Sequence, residues 1–302
     1  MRAVWSFWSK PFRAYYHRAW RSEATHLLSW ALSVAETARH YPSTCLLTDT
    51  AGAELLVDRL KLPFRQVELT LDALDRHDDP EWWVLGKLSA YAAQTEPFVH
   101  LDSDVILWRP LPAEVTRAPV FAQNPERFSF EDQPLYRISA FMRGIDQGGG
   151  WLPHEWTDYA DRRVNRAICC GILGGNDTAQ LARYAHLAME IIRHPKNQLI
   201  FPSLGVRDNI LVEQYFLAAF LDWRARRTMG GVAPETAFLF PSSNDAFDPL
   251  MAEQAGYTHL IGDTKTNPWV AERLAARVRR DHPRLYEACM VTAEDPAANS
   301  LK

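Results

Sequence analysis

The chain has 302 residues, 47% of them hydrophobic, enough to bury one large core. Its formal net charge of −4, spread over residues of both signs, offers no general attraction to nucleic acid or to an anionic membrane. No stretch approaches eighteen uncharged apolar residues, which excludes a spanning helix, and four cysteines without zinc-site spacing, two of them adjacent (Cys169 and Cys170), point to a reducing cytoplasm.

The first run, Ala3 to Phe7, reads as a strand rather than a signal peptide, with a loop at Ser9-Lys10-Pro11. Apolar residues from Leu27 to Ala38 are spaced for one helix face, so Ser22 to Arg39 is a helix. After Tyr41-Pro42, Thr44 to Thr48 is a buried strand ending at Asp49, Gly52 to Leu60 a short helix, and Phe64 to Leu69 another strand. Pro80 opens a helix over Glu81 to Gln94, and Phe98 to Leu101 is an apolar strand that stops at Asp102. This alternation predicts an α/β fold with a mostly parallel central sheet flanked by helices, in which ligands lie beyond the carboxyl ends of the strands.

Residues 112–166, rich in Pro, Gly and charge, read as an irregular insertion with one strand at Val120 to Ala122. Ala167 to Leu173 is a strand, Thr178 to Arg193 a helix capped by Asn176 or Asp177, and Asp208 to Leu221 a further helix. Thr258 to Gly262 is the last strand, Pro268 to Arg280 a helix, and 293–302 a frayed tail behind a single domain over 1–292.

Chemistry concentrates at Asp102-Ser103-Asp104. Two carboxylates at alternate positions beyond a buried strand cannot both be buried without a cation or strong donors between them. A divalent ion resolves the repulsion, and hard oxygen ligands suit Mg²⁺ or Mn²⁺, which keep positions for water and phosphate. The plain alternative is a polar turn at a strand end.

In this context Val99 to Leu107 resembles the metal-binding Asp-x-Asp segment of GT-A-type nucleotide-sugar glycosyltransferases, and His259 to Lys265 is similar to the His-x-Gly-x-x-Lys segment of the retaining enzymes of that class. The resemblance implies a GT-A-like fold and a transferase that moves a sugar from a nucleoside-diphosphate sugar to a hydroxyl, with retention of configuration. The acceptor can be a glycan, a lipid-linked sugar, a peptide or a small molecule. Mn²⁺ or Mg²⁺ would be held by Asp102, Asp104 and His259, with Gly262 and Lys265 at the diphosphate. Two departures stand out: His259 is followed by two residues before the glycine where the family has one, and Pro268-Trp269 comes two residues late.

The same resemblance places Trp5, Ser6, Lys10 and Asp49 at the nucleotide, with Asp102 and Ser103. Lys87 and Tyr91, four apart on one helix face, would approach the diphosphate. Gly174, Gly175 and Asn176 would line the donor-sugar pocket. Asp208, Glu213 and Gln214 are the catalytic candidates facing the reacting sugar. Two other readings fit some of these residues. Leu101 to Val105 also resembles the first motif of aspartate-nucleophile phosphatases, but that motif belongs on the first strand. The other is a binding protein of the same fold without catalysis.

Overall fold

The computed structural model describes residues 1–74, 78–130, 135–204, 208–227 and 236–295. In chain order the elements are β1 (Arg2–Phe7), α1 (Ser9–Ala19), α2 (Glu23–Ala38), β2 (Thr44–Thr48), α3 (Thr50–Ala53), β3 (Gln66–Glu68), α4 (Val84–Ala92), β4 (Phe98–Leu101) and β5 (Val105–Leu107). They continue with α5 (Ala113–Thr116), β6 (Val120–Arg127), α6 (Ile138–Gln147), α7 (His154–Asp161), β7 (Arg166–Gly175), α8 (Thr178–Arg193), α9 (Pro195–Leu204) and α10 (Phe216–Arg227). The last are β8 (Thr236–Phe238), α11 (Ser243–Phe247), α12 (Pro249–Ala255), β9 (Tyr257–His259), α13 (Pro268–Asp281) and α14 (Pro283–Glu294). Wide π-helical turns at Glu54–Arg59 and Leu211–Tyr215 extend α3 and precede α10.

Two compact units form. One comprises Met1–Pro80, Val99–Leu111 and Ala252–Lys302, the other Glu81–Phe98 and Pro112–Met251. In the first, the strands run in the order β3-β2-β1-β4, with β1 parallel to β2 and β2 parallel to β3. Residues Ala3, Val4 and Trp5 of β1 and all of β2 are buried, the continuous apolar reading of strands covered on both faces. The helix α2 is capped by Ser22, whose side chain accepts from Thr25 N, and it packs against α13, α14 and β5. A separate antiparallel ribbon pairs β5 with β9.

In the second unit the order is β7-β6-β8, β6 antiparallel to β7 and parallel to β8, with a bulge between Ala122 and Asn124. Helices α8 and α10 pack on β7, and α4 packs on α8. The chain is therefore α/β with mostly parallel strands flanked by helices, as the alternating pattern implied.

Local departures have local causes. Ser9-Lys10-Pro11 opens α1 instead of forming a loop, because Pro11 is the third residue of the helix, where its missing N–H is one of the donors a helix leaves unused. Helix α4 begins at Val84 rather than near Glu81. Asn209 fixes that start from a distance: its Oδ1 accepts from Val84 N at 3.0 Å and its Nδ2 donates to the Glu81 carbonyl at 2.8 Å. Residues 112–166 are more regular than their composition suggests, holding α5, an eight-residue β6, α6 and α7. Of the segment 293–302 expected as a tail, the first two residues belong to α14, which runs to Glu294; 296–302 lie outside the described residues, as do 131–134 of the insertion. Among the described residues no helix is long and apolar enough to cross a membrane.

Candidate active site

All four residues of β4 are buried, so the strand is held firmly where the chain leaves it at Asp102. Val105 N donates to the Asp102 carbonyl at 3.0 Å and closes a tight turn, and Ser29 Oγ on α2 donates to the Ser103 carbonyl at 2.8 Å. The ribbon then sets Val105 opposite His259, while Leu260 N donates to the Asp104 carbonyl at 2.9 Å. Antiparallel pairing is thus what carries His259 to the acidic turn. One ligand atom from each of Asp102, Asp104 and His259 lies within 4.8 Å of the others.

Asp104 is 3% exposed. Its Oδ2 is 2.6 Å from Lys265 Nζ, and its Oδ1 is 3.5 Å from His259 Nε2. Burial works to raise the carboxyl pKa, but the charges of Lys265 and His259 and their hydrogen bonds outweigh it and hold Asp104 well below the usual carboxylate range. Lys265 is itself held: its ammonium lies 5.4 Å from the centre of the Trp20 ring, and its carbonyl accepts from Arg21 N at 3.1 Å. Close by, His26 is buried between Phe12 and Trp20, with ring centres 4.7 and 5.0 Å away. Its Nε2 accepts from Trp30 Nε1 at 3.1 Å, which leaves the proton of the neutral ring on Nδ1. Burial, with Lys265 adding to it, brings its pKa down to about 3.

Two carboxylates and an imidazole make a donor set suited to a divalent ion of the Mn²⁺ or Mg²⁺ type, the nitrogen favouring Mn²⁺. Asp102 and His259 are half-buried, and Asp104 is buried. Gly262, at φ +57°, starts the 3₁₀ turn Gly262–Lys265. No heavy atom lies within 4 Å of where its Cβ would be, so the left-handed backbone is what requires glycine there. The turn ends at Lys265, whose ammonium meets Asp104.

The other nucleotide-side positions of this unit divide. Trp5 is fully buried, its Nε1 donating to Ser33 Oγ at 3.1 Å and its ring edge-on to Phe64, so its side chain belongs to the core. Ser6 Oγ and His100 Nε2 are 2.9 Å apart, a tie from β1 to the strand that carries Asp102. Lys10 is half-exposed in the first turn of α1. Asp49 is engaged as a double cap: Oδ2 accepts from Ser9 N at 2.8 Å and Ser9 Oγ at 2.7 Å, and Oδ1 accepts from Gly52 N at 2.6 Å.

In the second unit, Lys87 and Tyr91 meet on one carboxylate. Glu213 Oε1 is 2.7 Å from Lys87 Nζ and accepts from Tyr91 OH at 2.9 Å. Lys87 also donates to the Cys170 carbonyl at 3.3 Å, and Tyr184 OH donates to the Glu213 carbonyl at 2.6 Å. Glu213 is fully buried in the π-helical turn, and its Oε2 is unpaired among the described residues. Gln214 Oε1 accepts from Tyr136 OH at 2.7 Å, and Asp208 Oδ1 is 3.2 Å from Arg137, with burial raising the Asp208 pKa. Gly174 and Gly175 are buried at the end of β7, and a Cβ on Gly175 would stand 2.0 Å from the Pro119 carbonyl oxygen. Asn176 is exposed and donates to the Thr116 and Ala118 carbonyls at 3.1 Å each.

Residues 1–292 match the family model described as DUF6734, a family of unknown function. The chain belongs to DUF6734. No curated protein matches it in sequence. Among solved structures, this DUF6734 chain is similar to the galactosyltransferase LgtC in complex with donor and acceptor sugar analogs, at 14% identity and TM-score 0.41 over 91% of this chain and 94% of that one. It is similar to an active-site mutant of LgtC at 13% identity, with the same score and coverage.

Several of those side chains have no distinguishing pattern in the sequence. Trp20, Arg21 and His26 sit in a loop and a helix start that read as ordinary core and solvated surface. Ser29 is one serine in a buried helix. Tyr136 follows residues outside the described chain, and only its contacts with Gln214 and Glu126 reveal it.

Proposed function

We propose that this protein is a metal-dependent glycosyltransferase of the GT-A kind, moving a sugar from a nucleoside-diphosphate sugar to an acceptor hydroxyl. The observation that carries the reading is the convergence of Asp102, Asp104 and His259 with Lys265 at the end of β4, from segments far apart in sequence. Asp102, Asp104 and His259 would hold the cation, which when bound supplies positive charge to a departing diphosphate. Lys265 reaches the same place as a point charge, its ammonium over the Trp20 ring and its backbone carbonyl accepting from Arg21 N, and Gly262 gives the turn its approach. Charge preset around a leaving group is the largest catalytic contribution such a site can make.

Asp208, Glu213 and Gln214 are proposed to face the reacting sugar, with Lys87 and Tyr91 orienting Glu213, and Gly174, Gly175 and Asn176 beside the donor sugar. Ser6, Lys10 and Ser103 are proposed at the nucleotide. Trp5 and Asp49 would act there only through the strand and helix starts they fix. Retention follows from the resemblance of the His259 to Lys265 segment, and a cytoplasmic setting from the cysteine pattern.

The test is turnover. Purified protein is incubated with Mn²⁺ and a panel of UDP- and GDP-sugars, with sugar and alcohol acceptors, and release of nucleoside diphosphate is measured. The reading expects release from one donor, lost in Asp104→Ala and on chelation. Phosphate release from a simple phosphomonoester instead would overturn it.

A further inference from the structure

A cavity of about 620 Å³ lies in the first unit, on the side of the β5–β9 ribbon away from His259. Side chains alternate along a strand, so Ile106, Trp108 and Thr258 face this cavity while Val105 and His259 face the other way. Leu32 and Leu274 complete an apolar floor, and the size and lining are those of a small-molecule site. Trp108 Nε1 donates to Thr258 Oγ1 at 2.9 Å, which fixes the indole in place. Trp269 is 59% exposed at the mouth.

The charged side chains that line this floor are all basic. Arg273, Arg277 and Arg280 of α13 line it, and among the described residues no acidic side chain does. Arg273 lies 4.4 Å from the Trp269 ring centre and Arg277 4.4 Å from that of Trp108, so the guanidinium groups frame the apolar surface. Asp281 pairs with both Arg277 and Arg280 and leaves the rim with a net positive charge, against the chain's overall −4. Arg273 is in no ion pair among the described residues.

We propose that this cavity binds a single anionic lipid, its apolar chain along Leu32, Ile106 and the two indoles and its phosphate between Arg273 and Arg280. An apolar floor rewards a hydrocarbon chain, and exposed guanidinium groups recognise phosphate in preference to a neutral head group. The inference stands apart from the metal site, since none of the lining residues is a metal-site residue.

The probe is dodecyl phosphate below its micelle-forming concentration, titrated into the full chain by calorimetry with tryptophan fluorescence in parallel. Saturable one-to-one binding is expected, with weaker binding of dodecanol and none of inorganic phosphate. Arg273→Gln and Arg280→Gln, both at exposed positions, should each weaken it about tenfold, the scale of one charge-assisted contact, with unchanged melting temperature. Trp269→Ala should weaken it too. The proposal is overturned by absent or non-saturable binding, by equal affinity for the neutral alcohol, by Arg variants that bind as well as wild type, or by a dimer that Trp269→Ala dissolves, which would make the face a contact between copies of this chain.

Discussion

Lys265 Nζ stands 2.6 Å from Asp104 Oδ2, so the lysine proposed to meet a diphosphate also neutralises the carboxylate proposed to hold the metal. A cation arriving at Asp104 meets a positive charge already there. An anionic ligand that draws Lys265 away removes this conflict, so cation and diphosphate should bind with positive coupling. Lys265→Met is therefore expected to tighten Mn²⁺ binding to the protein without nucleotide while weakening nucleoside diphosphate binding. Electron paramagnetic resonance titration of free Mn²⁺ checks the first, and calorimetry the second.

The same substitution leaves Asp104 buried with one cation fewer. A stability loss of about 1–3 kcal/mol is expected in urea unfolding, the cost of an under-compensated buried charge. Millimolar Mn²⁺ should restore more of it in the variant than in wild type, because the ion replaces the missing charge.

Acid should destabilise the fold in two ranges. His26 has a folded pKa near 3, below its unfolded value, so the unfolded chain binds the proton more readily. Its contribution is complete above about pH 6.5 and is lost as pH falls from there toward 3. Asp104 also has a depressed folded pKa, so its contribution is complete above the ordinary carboxylate range and is lost as pH falls below it. Urea midpoints between pH 7 and 4 should fall steadily, and His26→Gln should flatten that slope.

Glu213 and Lys87 form a buried pair in the second unit, and Tyr91 shares the carboxylate. Glu213→Gln keeps the shape but removes the carboxylate charge that Lys87 Nζ meets at 2.7 Å, and a loss of about 3 kcal/mol is expected. A double-mutant cycle with Lys87→Met should show strong coupling, the double variant being less destabilised than the two single losses added together.

The two site glycines should differ on replacement by alanine. Gly262 has open space and a left-handed backbone, so Gly262→Ala costs about 1 kcal/mol. Gly175→Ala drives a Cβ into the Pro119 carbonyl and should cost more, with thermal unfolding reporting both.

The parts legible in the sequence are those set by local pattern. The strand Phe98–Leu101 is a buried apolar run, α8 follows its Asp177 cap, and α2 follows Ser22, so these elements read correctly. The grouping of Asp102, Asp104 and His259 is legible as a resemblance, while the antiparallel ribbon that joins them is not, since β5 and β9 have three residues each. Elements fixed from a distance are misplaced at their ends by local pattern. Asn209 decides where α4 begins, and nothing near Val84 announces it. Trp5 sits two residues before the end of β1 and Asp49 just after β2, where ligand positions and structural positions look alike in sequence. Only the Ser33 contact and the double cap show how their side chains are engaged.

In the proposed function, Asp102, Asp104 and His259 hold a divalent ion that binds a nucleoside diphosphate. Calorimetric titration of UDP and GDP into wild type and Asp104→Asn, each with Mn²⁺ and with EDTA, tests this. Binding of one nucleotide by wild type with Mn²⁺ only, and none by Asp104→Asn under either condition, is expected. Equal nucleotide affinity with Mn²⁺ and with EDTA, or wild-type affinity in Asp104→Asn, would contradict it.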